Sequence, residues 1–255
     1  MLIFDFDGVL INSIDEVVLT SYNATTGSLH TALTDLPPQL VSLFKCNRFH
    51  VQPIGDAILM MQWCLNNYRI APEQMLTPQQ YQSIITDTTV ALKERSDRIY
   101  KARGRFIEKD RQAWMALHRP YQPIWNQLIR SDYQPLVILT NKNKDATLRL
   151  CRFYDLKVDE QNVYSGDHGI TKSQHMHRIR ERFDVELFYF IDDSVKNLKQ
   201  LDEDINQDRE LLALMLAAWG YTGPDDKQLA ESLGYPVLHQ KDLVALLEKP
   251  LNSAK

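Results

Sequence analysis

Strand-forming runs are spread unevenly along this chain, and that spacing constrains its fold more than any other feature. The first run, Leu2-Ile3-Phe4-Asp5-Phe6, ends at residue 6, and the next, Pro135-Leu136-Val137-Ile138-Leu139-Thr140-Asn141, does not begin until residue 135. Everything between them reads as helical. Ser13-Ile14-Asp15-Glu16 has the form of a capping box opening a helix to about Thr26, with Ser13 accepting an N3 amide and Glu16 reaching back. Thr77-Pro78-Gln79-Gln80 repeats the device, with proline at the first helical position. Ile58-Leu59-Met60-Met61 with Trp63-Cys64-Leu65 is apolar on most sides and predicts a buried helix.

After about residue 120 helix and strand alternate. An amphipathic helix near Pro123 to Arg130 precedes the second strand, and a helix from Lys144 to Tyr154 follows it with Leu148, Cys151 and Tyr154 on a shared face. Further strands are predicted at Asn162 to Ser165, Glu186 to Ile191 and Leu211 to Ala217. Such alternation implies a parallel sheet covered by helices on both faces. The expected architecture is α/β: a doubly wound, Rossmann-like core from residues 1–11 and 121–255, with an all-helical domain at residues 12–120 inserted into it. That insertion, roughly 110 residues, is the size of a small domain. A ligand belongs at the carboxyl ends of the strands, under the insertion.

Composition narrows the function classes. With 255 residues and 44% hydrophobic content the chain has enough apolar surface for a real core. A formal charge of −4 gives no reason to expect a nucleic acid partner. No window approaches the roughly 18 uninterrupted apolar residues of a membrane span, and an acid at position 5 does not fit a signal peptide. A cytoplasmic protein is therefore expected. Cys46, Cys64 and Cys151 are odd in number and widely spaced, so they are read as reduced, mostly buried thiols rather than disulfides or zinc ligands.

The chemistry-bearing residues start with Asp5 and Asp7. Alternate residues of a strand share a face, so both carboxylates point into one small site, and Gly8 lets the backbone turn away sharply. Desolvation and mutual repulsion oppose two unpaired like charges there unless a cation or a reacting group compensates. Thr140-Asn141-Lys142, then Lys172, then Asp192-Asp193-Ser194 fall at or after the ends of later predicted segments. Phosphoryl transfer needs a nucleophile, a proton donor and positive charge on the phosphoryl oxygens. Four acids, a hydroxyl and a lysine supply that list if Mg2+, which prefers hard oxygen ligands, sits among the acids.

The order Asp5-x-Asp7-Gly8-Val9-Leu10, Thr140-Asn141-Lys142, Lys172 and Asp192-Asp193-Ser194 resembles the four signature motifs of the haloacid dehalogenase (HAD) superfamily. Asn141-Lys142 and Trp219-Gly220-Tyr221 look like its phosphoglycolate phosphatase branch, and the superfamily carries a helical cap where this chain has its insertion. The resemblance implies that Asp5 is the nucleophile and Asp7 the general acid and base. It implies that Thr140, with Asn141, binds the phosphoryl group, that Lys172 neutralises charge on Asp5 and the phosphoryl group, and that Asp5, Asp7 through its carbonyl oxygen, Asp192 and Asp193 form the metal site. Asp193 is the principal acid of the last motif. The chain departs from the commoner pattern at Asn197, where many relatives have another acid, and at Ser173, where proline is usual. Asn197 lowers the negative charge near the metal.

These readings imply a magnesium-dependent phosphatase acting on a small phosphorylated metabolite through an aspartyl-phosphate intermediate. A phosphosugar mutase on the same core and a non-enzymatic partner-binding protein are the alternatives. Substrate identity and oligomeric state are not written in the sequence. Plainer roles exist beside the catalytic ones: Thr140 and Asn141 as caps of the next helix, and Asp192 and Asp193 favouring a helix N-terminus. His168, His175 and His177 are expected to face solvent. Residues 93–119, with nine Lys or Arg against four Asp or Glu, are expected to form a solvated helix carrying Glu94–Arg98 and Asp97–Lys101 pairs. Arg48, Phe49 and His50 are alternative specificity residues.

Overall fold

The computed structural model describes residues 1–206 and 212–248. The chain divides into two units, Met1–Asn12 with Arg119–Lys255, and Ser13–His118. The first unit begins with β1 (Leu2–Phe4) and β2 (Ile11–Asn12). The second is helical: α1 (Ile14–Thr26), α2 (Pro38–Cys46), α3 (Ala57–Asn67), α4 (Pro78–Thr86), α5 (Leu92–Lys109) and α6 (Arg111–Ala116). The first unit resumes at β3 (Arg119–Pro120), which pairs antiparallel with β2. It continues as α7 (Gln122–Arg130), β4 (Val137–Thr140), α8 (Lys144–Phe153), β5 (Val163–Ser165), α9 (Lys172–Arg182), β6 (Phe188–Asp192), α10 (Val195–Ile205), β7 (Leu212–Ala217), α11 (Asp226–Ser232), β8 (Val237–Leu238) and α12 (Gln240–Glu248). Leu211, expected to open the β7 strand, lies outside the described residues.

Among the described residues the main sheet has six parallel strands in the order β5-β4-β1-β6-β7-β8. The α/β, Rossmann-like core expected from the alternation is therefore present. Strand order reverses at β1, which lies between β4 and β6, and in open α/β sheets ligands bind at such a switch point, outside the carboxyl ends of the strands. Ile3 packs with Val137, Leu139, Phe188 and Phe190 against Met176 and Ile179 of α9 and Leu198 of α10. Its neighbour Phe4 points the other way and meets the Tyr133 ring edge-on at 6.2 Å, while Phe6 meets Trp125 of α7 at 6.4 Å. A strand covered on both faces has no solvent side, which is why β1 reads as a continuous apolar run.

In the helical unit α3 is buried as its sequence predicts, with Ile58, Met60, Met61 and Cys64 inside. The capping box of α4 forms between Thr77 and Gln80. That of α1 does not: Ser13 makes no side-chain cap bond, and Glu16 is fully buried instead. Glu16 accepts bonds from Arg103 Nε at 2.7 Å and its guanidinium NH2 at 2.9 Å, from the Thr20 hydroxyl at 2.7 Å and from Trp114 Nε1 at 3.2 Å. A bidentate, charge-assisted pair outweighs a local cap.

The same pairing corrects the expectation for the basic stretch. On α5, Arg95 and Arg103 turn inward, Arg95 meeting buried Asp56 at 2.7 Å. Arg98 donates to the Ala24 carbonyl at 3.2 Å, and Asp97 pairs with Lys93 at 2.8 Å. Only part of α5 is a solvated face. No helix among the described residues is long and apolar enough to cross a membrane.

Because removing one partner of a buried ion pair strands the other, Glu16→Ala should lower the free energy of unfolding by about 3–5 kcal/mol. Asp97→Ala should leave it unchanged within error, and chemical denaturation of both variants checks the contrast.

Candidate active site

The site is built within the first unit, from the loop that leaves β1. The Asp5 amide donates to the Ile191 carbonyl at 2.9 Å and so continues the β1–β6 pairing by one residue. The chain then folds back: the Phe6 carbonyl accepts the Leu10 and Ile11 amides, both at 3.0 Å, and the Gly8 amide donates to the Ile11 carbonyl at 2.8 Å. Gly8 has φ +86°, a conformation that disfavours any side chain. A Cβ there would also lie 1.9 Å from Asp193 Oδ2.

Asp193 is threaded between two glycines. A Cβ on Gly220 would lie 2.3 Å from Asp193 Cβ and 2.5 Å from the Gly8 carbonyl oxygen. The Tyr221 amide donates to Asp193 Oδ2 at 2.6 Å, and its hydroxyl reaches Asn12 Oδ1 at 3.2 Å. Trp219 Nε1 donates to the Val9 carbonyl at 3.0 Å. The segment after β7 therefore braces both the acid and the loop facing it. The Trp-Gly-Tyr run carried that signal as a likeness, but its contacts needed the fold.

Lys172 opens α9 behind a capping box formed by Thr171 and Gln174. Its Nζ lies 2.5 Å from Asp192 Oδ2, 3.1 Å from Asp5 Oδ1 and 5.1 Å from the centre of the Phe190 ring. Asp5 Oδ1 is buried, and Lys172 Nζ at 3.1 Å is the neighbour that offsets its charge. Burial pushes the Asp5 carboxyl up to about 7; Lys172 pulls it back, and Asp192 and Asp7 add to the rise. Burial opposes the Lys172 charge, but Asp192 and Asp5 outweigh it and raise the ammonium above its ordinary value.

Thr140 is buried at the end of β4. Its hydroxyl oxygen accepts the Lys142 amide at 3.1 Å, which leaves its own proton to donate. Asn141 is exposed, and α8 is capped by neither of these two residues but by Asn143, whose side chain accepts from the Ala146 amide. Lys142 is the site residue to which the sequence reading gave no role. Its Nζ lies 3.1 and 3.2 Å from the two Asp7 oxygens, and its side chain is only 7% exposed. Its place in the Thr-Asn-Lys run was visible, but the reach back to Asp7 was not.

Asp167 joins the loops after β4 and β5 by accepting from Asn143 Nδ2 at 2.7 Å, the Lys144 amide at 2.9 Å and the Ser165 hydroxyl at 2.8 Å. His175 is not solvent-facing as expected. It is buried with Nε2 2.7 Å from the Ser165 carbonyl oxygen, because the three-residue step from Lys172 keeps it on the inward side of α9. His168 and His177 are exposed.

Asp5, Asp192 and Asp193 are buried and offer carboxylate oxygens all within 4.8 Å of one another. A cluster of hard anionic oxygens fits a small divalent cation such as magnesium. The arrangement combines a buried carboxylate, a second acid held by a lysine, a buried hydroxyl and two ammonium groups.

No family model matches the chain, and no curated protein matches it. Solved structures do. A haloacid dehalogenase-like hydrolase of Streptococcus pneumoniae superposes with a TM-score of 0.57 at 14% identity, covering 97% of each chain. A predicted phosphoglycolate phosphatase of Haemophilus somnus gives 0.57 at 14% identity over 97% of this chain and 96% of its own. A predicted phosphatase of Clostridium acetobutylicum gives 0.53 at 12% identity over 96% of each. The chain thus has the fold of the haloacid dehalogenase-like hydrolases, phosphoglycolate phosphatase-like members included.

Two outcomes follow from the packing and charge of this site. Asp5 is raised above its ordinary value of 3.8, so its ionisation destabilises the native state. That cost is absent below pH 3.8, grows as the unfolded chain ionises, and is complete above about 7. Metal-free Asp5→Asn should therefore gain stability relative to wild type as pH rises from about 4 to 8; thermal melts across pH test this. Gly220→Ala should cost about 1–3 kcal/mol by overpacking and displace Asp193, read as loss of Mn2+ uptake by the metal-free protein.

Proposed function

We propose that this protein is a magnesium-dependent phosphatase that hydrolyses a small phosphate monoester through an aspartyl phosphate on Asp5. The observation that carries this reading is the Asp5 carboxylate, buried beside Asp192 and Asp193 with an ammonium 3.1 Å from its Oδ1. Such a carboxylate can attack once positive charge from Lys172 and a bound cation offsets burial and the neighbouring acids. Asp5, Asp193 and the Asp7 carbonyl oxygen would hold the metal, which supplies charge neutralisation for the phosphoryl oxygens.

In the first half of the reaction an Asp5 oxygen forms a bond to phosphorus as the ester P–O bond breaks. The leaving oxygen takes a proton from Asp7. In the second half Asp7 takes a proton from water, the resulting hydroxide attacks phosphorus, and the bond to Asp5 breaks to release phosphate. Thr140 donates its hydroxyl proton to a phosphoryl oxygen, and Lys172 neutralises the charge that develops there. Lys142, in contact with both Asp7 oxygens, orients that side chain and stabilises the carboxylate left once its proton has been given up. The helical unit, inserted directly after the loop bearing Asp5 and Asp7, is proposed as the cap that selects the substrate, and a cytoplasmic location is proposed with it.

A magnesium-dependent screen of phosphorylated metabolites tests the reading. Wild type should release phosphate from at least one small monoester, and Asp5→Asn should lower kcat by at least about 1,000-fold while keeping its fold. Isomerisation of a hexose phosphate without phosphate release would instead mark a mutase. A folded wild type inert towards every ester would favour a partner-binding protein.

A further inference from the structure

Asp192 stands out in the acid cluster because both of its oxygens already accept hydrogen bonds from several donors. A carboxylate offers about four lone-pair sites. Oδ1 of Asp192 accepts the Ser194 amide at 2.9 Å and Asn197 Nδ2 at 3.3 Å; Oδ2 accepts Lys172 Nζ at 2.5 Å and Asn197 Nδ2 at 3.1 Å. The residue is completely buried. Because a carboxylate only accepts, the Asn197 amide must face it with its NH2 group.

We propose that Asp192 is a positioning residue for Lys172 rather than a metal ligand, and that Asn197 assigns it to that task. The inference deepens the phosphatase reading and rests on it for the role of Lys172. The cation is then held by the carboxylates of Asp5 and Asp193, and the ammonium is fixed between Asp192 and Asp5. An acid at position 197 would repel Asp192 and free its oxygens for the metal. The asparagine instead spreads one NH2 group across both oxygens and keeps the shorter contact on the side that holds Lys172. Asp192 acts on the reaction only through the lysine.

Mn2+ binding to the metal-free protein, followed by the loss of the free-ion electron paramagnetic resonance signal, separates the two roles without catalysis. Asp193→Asn should weaken binding by at least about 10-fold, since a ligand counts for no less than its outer partners. The double variant Asp192→Asn with Lys172→Gln, which removes both charges of the pair together and no proposed ligand, should weaken binding less than Asp193→Asn does. Asn197→Asp should tighten binding at least about threefold by adding ligand charge.

In turnover, Asp192→Asn should lower kcat by about 10–100-fold with KM little changed, as expected for a misplaced charge, and should add less than about threefold in the Lys172→Gln background. Loss of Mn2+ binding in the double variant equal to that in Asp193→Asn would overturn the proposal. So would weaker binding in Asn197→Asp, or a wild type that takes up no Mn2+. If the binding pattern holds while no ester is turned over, the ligand assignment stands and the phosphatase reading alone fails.

Discussion

Three carboxylates buried side by side at one edge of a sheet form the constraint on which the rest of the site depends. Asp5, Asp192 and Asp193 each lose solvation, and each would repel the others without compensation. The chain answers with a different device for each. Both Asp192 oxygens accept donors, the Tyr221 amide donates to Asp193 between two glycines, and Lys172 Nζ lies 3.1 Å from Asp5 Oδ1.

The geometry follows from the parallel sheet. Strands that all run one way bring their carboxyl ends to one edge, and strand order reverses there at β1. Asp5 leaves β1, Thr140 ends β4 and Asp192 ends β6, so three motifs far apart in the chain meet without long loops. Lys172 comes from the first turn of α9, where a capping box fixes the start of the helix. The loops after β4 and β5 are tied through Asp167, which keeps the lysine and threonine motifs in step.

The fold was legible wherever a periodic pattern met a burial requirement. Residues 1–6 and 135–141 read as strands because both faces are covered, and α3 read as buried because it is apolar all round. The α4 capping box formed between Thr77 and Gln80, both of which lie at the surface. The α1 box failed because Glu16 found Arg103, 87 positions away, and α5 was misjudged for the same reason. His175 went inside because helix phase set by Lys172 left it no other side. Local spacing carries no record of such distant partners.

What the sequence by itself determined is the inventory and its order: an alternating α/β core, a long helical insertion after the first strand, and acids, a hydroxyl and lysines at the strand ends. Periodicity and turn chemistry are local, so a single chain can display them. Which acid serves which partner was decided by tertiary structure alone. Asp192 and Asp193 are adjacent and chemically identical, and only the three-dimensional supply of donors gives one to Lys172 and leaves the other beside Gly8 and Gly220. Hydrogen-bond satisfaction depends on distance and angle between groups remote in sequence, and those exist only once the sheet has formed.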